Sequence, residues 1–285
     1  MRQIYWATMR HKLGERTYIR IDPAVPNGSL LIYLHGSKQS ASVARNFTDR
    51  TFDRFAEHGT TVIYPEGVSH HWNDARRNFT EQTRLLGTDD VAFLSALAAS
   101  YSPVFGVGFS NGAHMLIRLL HDSPGTLTGA ALIAANQPAP ANFLSTPEHW
   151  SPTKILTMHG TEDPISPYHG GLIHAARGEV LSFHDTAAYY AQLNGLGEPT
   201  ENTFRGFKVT SWPGEHSVEA WSLKGIGHVV PTRHPVASKF LGPTSSDFVA
   251  ATEIARFFEL PYPETTEFYA GERTHSALRQ QPPRR

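Results

Sequence analysis

Short apolar runs alternate with longer amphipathic segments along most of the chain. Runs such as LLIYLHG (30–36) and TVIYPEG (61–67) are almost continuously apolar, which is typical of strands buried on both faces of a parallel sheet. TYIRI (17–21) alternates apolar and polar positions instead, as a half-exposed edge strand does. Strands are predicted at 17–21, 30–36, 61–67, 103–110, 129–135, 154–160 and 216–225.

Helix-length segments fill the intervals between these strands. Residues 43–59 place Phe47, Phe52 and Phe55 on one helical face and end in a glycine, so a single helix is predicted there. Thr88 is the expected cap of a second helix, whose first turn carries two aspartates. Helices are predicted at 43–59, 88–101, 111–122, 182–195 and 246–260.

This alternation predicts an α/β protein, with a mostly parallel twisted sheet that carries helices on both faces. No linker or repeat interrupts the pattern before about residue 262, so residues 1–262 are expected to form one domain. Residues 263–285 are expected to be a partly disordered C-terminal tail. Segments 68–87 and 136–153 lack a clear period, and loops of such length inside a domain are often functional.

Composition and charge exclude several classes of partner. The 285 residues include 25 Lys and Arg against 26 Asp and Glu, a formal net charge of −1. Such a balance disfavours a nucleic acid or a membrane surface as the main partner. The chain has no cysteine, which excludes disulfides, thiolate metal sites and cysteine nucleophiles.

No stretch of the sequence predicts a leader or a membrane span. The first residues lack the apolar core of a secretory signal, and no run approaches the ~20 apolar residues that cross a bilayer. We therefore expect a cytoplasmic protein, although a secreted chain without its leader would have the same sequence features. Nothing in the pattern indicates an oligomeric state.

Residues 108–112, Gly-Phe-Ser-Asn-Gly, match the nucleophile-elbow pattern G-x-S-x-G. They lie where a strand of buried type gives way to a helical pattern, the context that the motif requires. The turn projects the serine hydroxyl away from the backbone, and side chains at the two glycine positions would collide in it. The first N–H groups of the following helix favour negative charge nearby. Ser110 is therefore predicted to be a nucleophile.

A serine hydroxyl needs a base to accept its proton and an acid to orient that base. With this elbow, the chain order is serine, acid, histidine, and each follows a strand. His228 is the predicted base because it lies in a glycine-bracketed loop directly after the strand at 216–225. Other histidines fit less well, because they lie within an element, begin a strand or have no strand before them: His114, His159, His216, His234 and His275.

The predicted acid follows the strand at 154–160. Asp163 precedes a proline in the loop after that strand, and we favour it over its neighbour Glu162, which could be a solvated loop charge. Asp185 and Glu179 lie on or near a helix and fit the expected position less well. The Ser110, Asp163 and His228 side chains are therefore expected to meet at one edge of the sheet.

Two backbone amides are expected to form an oxyanion hole. One belongs to Asn111, the residue after the nucleophile, and the other to Ser37, in the loop after the strand at 30–36. His35 precedes this loop. We expect it chiefly to be a buried histidine that hydrogen-bonds the loop, with a place among the substrate-binding residues as the alternative.

Seven segments resemble one known family in order, over about residues 16–260. They are LIYLHGSKQSA, VIYPEGVSHHWNDAR, TDDVAFLSAL, GFSNGAHM, LTMHGTEDPISPYHGG, GIGHVVP and LGPTSSDFVAATEIARFF. The chain resembles the polyhydroxybutyrate depolymerase and feruloyl esterase-like family of α/β-hydrolases. The resemblance implies the α/β-hydrolase fold, with 1–262 as its catalytic domain, and a serine carboxylic ester hydrolase that forms an acyl-enzyme intermediate. It also implies that Trp72 binds the acyl group, against the alternative of a partly buried loop tryptophan.

The sequence departs from that family where a substrate would contact the protein. Ser37-Lys38 follows His-Gly, Val229-Val230 follows the predicted base, and the paired cysteines are missing. We therefore expect a small, soluble ester or an aromatic or hydroxyacyl ester, rather than a polymer. A serine peptidase, an acyltransferase and a catalytically silent binding protein remain alternatives. No cofactor or metal ion is expected, because neither H-E-x-x-H nor a nucleotide-binding glycine loop is present.

Overall fold

The apolar runs form the centre of a ten-stranded sheet. The computed structural model describes residues 9–236, 238–246 and 248–263, so the predicted tail lies outside the described residues except for Pro263. The sheet has the order β1-β2-β4-β3-β5-β6-β7-β12-β11-β10, and β8 and β9 form a separate pair. The strands are β1 Met9–Leu13, β2 Arg16–Ile21, β3 Leu30–Leu34, β4 Thr61–Pro65, β5 Val104–Phe109, β6 Gly129–Ile133, β7 Lys154–Gly160, β8 Gly171–Leu172, β9 Glu179–Val180, β10 Thr200–Phe204, β11 Phe207–Trp212 and β12 Val218–Leu223.

Six central strands, from β4 to β12 in the sheet order, are parallel to one another. Antiparallel strands complete the sheet on both sides, with β2 and β1 beyond β4 and with β11 and β10 beyond β12. The prediction of a mostly parallel α/β sheet is therefore confirmed. The prediction that 17–21 forms an edge strand is wrong, because β1 pairs with the outer side of β2.

Helices cover both faces of the sheet. One apolar core includes residues of α1 and α6, and a second core on the opposite face includes residues of α3, α4 and α5. The helices are α1 Ala41–Phe47, α2 Gln82–Leu85, α3 Asp90–Ala98, α4 Asn111–Asp122, α5 Phe183–Leu193 and α6 Ala250–Phe258, with short 3-10 helices at Thr51–His58, Pro140–Asn142 and His174–Ala176. Within the described ranges, no helix has the length and apolar character needed to cross a membrane.

Three local features differ from the sequence prediction. The single helix expected at 43–59 is broken, because Asp49 and Arg50 both have φ of 52° and a 3-10 helix follows. α3 is capped by Asp89, which accepts a 2.9 Å hydrogen bond from the N–H of Ala92, rather than by Thr88. The β10–β11 hairpin was not predicted, because every residue of β10 is exposed and no burial constrains its pattern.

The carboxyl ends of the central parallel strands lie along one edge of the sheet. The segments that follow β3, β4, β5, β7 and β12 therefore meet there, although they are far apart in the chain. All the residues predicted to take part in chemistry belong to these segments.

Candidate active site

Ser110 lies at the sharp turn between β5 and α4. Its backbone has φ of 55° and ψ of −117°, a strained conformation for a residue with a side chain. Its N–H donates a 2.9 Å hydrogen bond to the carbonyl oxygen of Ile133 on β6, which holds the strained residue against the sheet. The fold thus fixes the serine backbone at the carboxyl edge.

The glycines on both sides of Ser110 are required by close backbone contacts. A Cβ on Gly108 would lie 2.6 Å from the Cα of Ala113, at the start of α4. A Cβ on Gly112 would lie 2.2 Å from the carbonyl oxygen of Leu34, on the neighbouring strand β3. The expected need for glycine is confirmed, but the obstacle at Gly112 is the adjacent strand rather than the turn itself.

His228 lies between Ser110 and Asp163. Its Nε2 is 2.8 Å from the Oγ of Ser110, and its Nδ1 is 2.7 Å from Oδ2 of Asp163. Because a carboxylate only accepts, Nδ1 carries the proton, which leaves the lone pair of Nε2 to accept from the serine hydroxyl. The ring is 3% exposed and packs against Phe109, with ring centroids 5.0 Å apart. The structure brings together the three side chains named from the sequence.

Asp163 is held at both carboxylate oxygens. Its Oδ1 accepts 2.8 Å hydrogen bonds from the N–H groups of Ile165 and Ser166, and its Oδ2 faces His228 and, at 3.3 Å, Nε2 of His159. Burial by itself raises the pKa of Asp163, but the interactions with His228 and His159 outweigh it and hold the pKa well below its ordinary value. Asp163 is therefore ionised at neutral pH.

The neighbouring alternatives do not make these contacts. Glu162 is exposed, and its backbone N–H bonds to Ile226 instead. Nε2 of His159 donates to the carbonyl oxygen of Ser166 at 2.9 Å and lies 3.3 Å from Oδ2 of Asp163. His159 therefore contacts the predicted acid rather than the serine. Sequence reasoning missed this second imidazole, for which the His-Gly-x-x-Asp spacing was the available signal.

The remaining candidate histidines lie away from the serine hydroxyl. His114 is buried in α4, where burial lowers its pKa well below the ordinary value. His216 lies just before β12, at the opposite end of that strand from His228. His234 is exposed and pairs with Asp49 at 2.9 Å, and His275 lies outside the described residues.

The loop after β3 holds the Ser37 amide near the elbow. In the part of the chain that the structure describes, neither the Ser37 N–H nor the Asn111 N–H has a hydrogen-bond acceptor. His35 fixes this loop: Nδ1 donates to the carbonyl oxygen of Gly36 at 2.8 Å, and Nε2 accepts from the N–H of Gly67 at 3.0 Å. Both amides are therefore free to bind an anion.

His35 is a buried histidine that hydrogen-bonds the loop after β3, as expected. Burial lowers its pKa to about 4, so the ring is neutral at physiological pH. It is 1% exposed and both of its nitrogens are occupied within the protein. The alternative prediction, that His35 contacts substrate, stays a prediction.

Trp72 was also predicted to contact substrate. Its side chain is fully buried, and its Nε1 donates to the carbonyl oxygen of His35 at 3.0 Å. Its backbone N–H donates to Oδ1 of Asn111 at 2.8 Å. The indole has no exposed surface in this structure, and its contact with an acyl group stays a prediction.

Arg177 is a site neighbour that the sequence did not reveal. Its Nη1 lies 3.4 Å from the Oγ of Ser37, although the two residues are 140 positions apart in the chain. Its Nη2 forms a 2.7 Å ion pair with Glu81. Only the tertiary fold brings the segment after β7 against the loop after β3, and no local pattern indicates it.

The central parallel sheet, the helices on both faces and the serine elbow at the carboxyl edge define the α/β-hydrolase fold. Solved structures of similar fold include acetyl xylan esterase from Aspergillus awamori, with a TM-score of 0.57 and 14% identity over 87% of this chain and 95% of that one. Esterase PE8 has a TM-score of 0.50 and 17% identity over 85% of this chain and 97% of that one.

One curated protein is similar in sequence to part of this chain. The protein named "Putative esterase NocK", from Nocardia uniformis subsp. tsuyamanensis, is 31% identical over 160 residues, which are 52% of this chain and 44% of that protein. The chain thus spans less than half the length of this relative. No protein-family model matches the chain. The comparisons therefore support the α/β-hydrolase fold, while membership of the polyhydroxybutyrate depolymerase and feruloyl esterase-like family stays a prediction.

Proposed function

We propose that the protein is a serine carboxylic ester hydrolase that works through an acyl-enzyme intermediate. The observation that carries this proposal is the hydrogen-bonded series from Ser110 through His228 to Asp163, with distances of 2.8 and 2.7 Å. The esterase names of the curated relative and of two structural neighbours support the same reaction. The reacting groups all belong to the domain predicted for residues 1–262.

Acylation begins when the Oγ of Ser110 attacks the ester carbonyl carbon. His228 accepts the hydroxyl proton on Nε2 as the new carbon–oxygen bond forms, and Asp163 stabilises the resulting imidazolium. The amides of Ser37 and Asn111 donate to the oxyanion, and one such donor is typically worth about 3 kcal/mol of transition-state stabilisation. His228 then returns the proton to the leaving alkoxide, which departs as the alcohol.

Deacylation repeats these steps with water. His228 removes a proton from a water molecule that attacks the acyl carbon, and the same two amides hold the second oxyanion. Collapse of this intermediate breaks the bond to the Oγ of Ser110, which regains its proton from His228. The products are the carboxylic acid and the free enzyme, so the cycle needs neither an oxidant nor a cofactor.

We propose small, soluble esters as the substrate class, including hydroxyacyl and aromatic acyl esters. The resemblance to the polyhydroxybutyrate depolymerase and feruloyl esterase-like family supports such acyl groups. Of the departures from that family, only Ser37-Lys38 has accessible surface beside the elbow, because Val229 and Val230 are 4% and 2% exposed. The charged, exposed Lys38 would disfavour an apolar polymer surface at this position.

Replacing the serine tests the proposal directly. Ser110→Ala should lower kcat on p-nitrophenyl acetate by at least about 1,000-fold, because the acyl-enzyme can no longer form. It should also abolish labelling by a fluorophosphonate. The matched control is Ser95→Ala, a part-buried serine whose hydroxyl bonds to Ser123. This control should keep the wild-type kcat and the labelling by the fluorophosphonate.

The same assay separates the alternatives. A Ser110→Ala protein that folds normally and retains most of its hydrolysis would overturn the proposal. Faster cleavage of a matched amide would indicate a peptidase, and transfer of the acyl group to an added alcohol in preference to water would indicate an acyltransferase. A wild-type protein that neither hydrolyses esters nor reacts with the fluorophosphonate would indicate a silent binding protein.

A further inference from the structure

A buried loop segment contacts the Asn111 side chain and the His35 carbonyl group, which lie next to the two amides of the proposed oxyanion hole. We define the brace segment as residues 71–76, His-Trp-Asn-Asp-Ala-Arg, which follow β4. All six residues are buried, although the segment is a loop and four of its side chains are polar. Buried polar groups in a loop need specific partners, and Trp72 and Asp74 find theirs at the elbow and in the loop after β3.

The first set of contacts holds Asn111, whose backbone N–H is one of the two donors. Its side-chain Oδ1 accepts from the N–H of Trp72 at 2.8 Å, and its Nδ2 donates to the carbonyl oxygen of Trp72 at 3.1 Å. The same Nδ2 donates to Oδ2 of Asp74 at 2.6 Å. With three hydrogen bonds and 1% exposure, the Asn111 side chain has one position available to it.

The second contact holds the loop that carries Ser37. Nε1 of Trp72 donates to the carbonyl oxygen of His35 at 3.0 Å, and the indole packs on the His35 ring with centroids 4.9 Å apart. The next peptide unit in the chain, between Gly36 and Ser37, carries the Ser37 N–H. Trp72 therefore touches both sides of the oxyanion hole, with its backbone on Asn111 and its indole on His35.

A buried ion pair anchors the far end of the brace segment. Nε of Arg76 lies 3.2 and 3.1 Å from the two oxygens of Asp74, and the N–H of Arg76 donates to Oδ1 at 2.9 Å. The carboxylate of Asp74 is fully buried. Nη2 of Arg84 donates a 2.6 Å hydrogen bond to the backbone carbonyl oxygen of Asp74. A buried ion pair contributes little net stability, but it fixes the geometry of the groups that it binds.

We propose that Trp72 is a positioning residue that sets the separation of the Ser37 and Asn111 amides. The inference rests on the proposed function, because the two amides matter only if an oxyanion forms between them. Preorganised donors stabilise an oxyanion only when they already point to where its charge develops. Trp72 acts through the two loops that it joins.

The test is Trp72→Phe, which keeps an aromatic ring in the core and removes the Nε1 donor. Freed from that hydrogen bond, the loop after β3 can shift the Ser37 amide. We expect kcat on p-nitrophenyl acetate to fall by about 10- to 100-fold, less than the loss of a whole donor, with KM within about threefold of wild type. Affinity for a trifluoromethyl ketone, which forms an oxyanion on the serine, should fall in parallel with kcat/KM.

The matched control is Trp150→Phe. Nε1 of Trp150 also donates a single hydrogen bond, 2.9 Å to Oδ1 of Asn194, on the side of the sheet near α5 and away from the elbow. This variant should lose stability comparably and keep wild-type kcat. All rates are divided by the number of active sites titrated with a fluorophosphonate, so that partial unfolding cannot imitate a loss of kcat.

A second variant removes the contact between Trp72 and Asn111 by changing Asn111 instead of Trp72. Asn111→Ala keeps the backbone donor of residue 111 but removes its three side-chain bonds, and it should show the same fall in kcat and in ketone affinity. Wild-type kcat per titrated site in either variant would overturn the positioning role. Failure of the wild-type protein to hydrolyse any ester would instead overturn the proposed function, so the two failures are distinguishable.

Discussion

At the scale of single residues, the orientation of Asp163 decides how His228 is protonated. Its Oδ1 is occupied by two backbone N–H groups, and its Oδ2 by the imidazoles of His228 and His159. The carboxylate therefore cannot rotate without losing several hydrogen bonds. Because the side chain of Asp163 accepts at both oxygens, the proton of His228 is confined to Nδ1.

Asp163→Asn should disable the base while leaving the fold intact. The amide oxygen would take the place of Oδ1, where two N–H groups donate, so the amide nitrogen would face His228 and donate to Nδ1. The ring proton would then move to Nε2, which could no longer accept from Ser110. We expect kcat to fall by about 10,000-fold near pH 7, measured with p-nitrophenyl acetate.

The control for this change is the adjacent Glu162→Gln. Glu162 is exposed, and its side chain contacts none of the reacting groups. This variant should keep wild-type kcat and a wild-type melting temperature. An Asp163→Asn protein with kcat within tenfold of wild type would contradict the assigned protonation of His228.

At the scale of secondary-structure elements, the elbow depends on how closely α4 approaches β3. The first turn of α4 packs so tightly on the carboxyl end of β3 that Gly112 has no room for a side chain. The same approach places the Asn111 amide beside the loop that carries the Ser37 amide. The glycine of the motif is thus a packing requirement between two elements as well as a feature of the turn.

Gly112→Ala should therefore destabilise the whole protein. Its Cβ would meet the Leu34 carbonyl oxygen at 2.2 Å, and backbone on a central strand cannot move away cheaply. We expect a loss of about 3 kcal/mol or more in the free energy of unfolding, measured with urea.

Gly197→Ala is the matched control for the packing argument. A Cβ at Gly197 meets nothing within 4 Å, so this variant should unfold at the wild-type urea concentration or slightly above it. Equal stability of the two variants would mean that α4 can retreat from β3, contrary to the packing described.

At the scale of the whole molecule, several histidines are buried without charge. Burial lowers the pKa of His35 to about 4, and it also lowers the pKa values of His114 and His121. The unfolded chain, with an ordinary histidine pKa near ~6.5, binds protons in a range where the folded protein does not. Acid therefore favours the unfolded state in that range.

We expect the free energy of unfolding to fall as the pH decreases from about 6.5 to 4. His35 alone accounts for about 3 kcal/mol, because its pKa is lowered by about 2.5 units at 1.36 kcal/mol per unit. Urea unfolding at a series of pH values measures the change. His35→Gln should flatten the pH dependence.

A protein whose stability is constant from pH 6.5 to 4 would show that His35 becomes charged within the fold. The hydrogen bonds described for its ring would then be wrong, because a protonated Nε2 cannot accept from the N–H of Gly67.

The central strands could be predicted because burial on both faces leaves a continuous apolar run, as in β3, β4 and β5. β1 and β10 are largely exposed, so no such constraint acts on their sequences. The break after α1 was missed because Phe47 before it and Phe52 and Phe55 after it pack into the same core, as they would on one helix. The spacing of apolar residues indicates which side chains are buried. A bend in the backbone that keeps the same side chains buried therefore does not change that spacing.

The sequence by itself determined the central parallel strands, the elbow and the order of the proposed reacting residues. These follow from local chemistry: apolar runs form buried strands, a strained turn demands glycine, and the acid and base follow strands whose ends share one edge. Only the tertiary structure decided that His159 supports Asp163 and that Arg177 approaches Ser37. It also decided that Trp72 joins Asn111 to the loop after β3, because hydrogen bonds between distant loops depend on how those loops pack and leave no periodic signal in the chain.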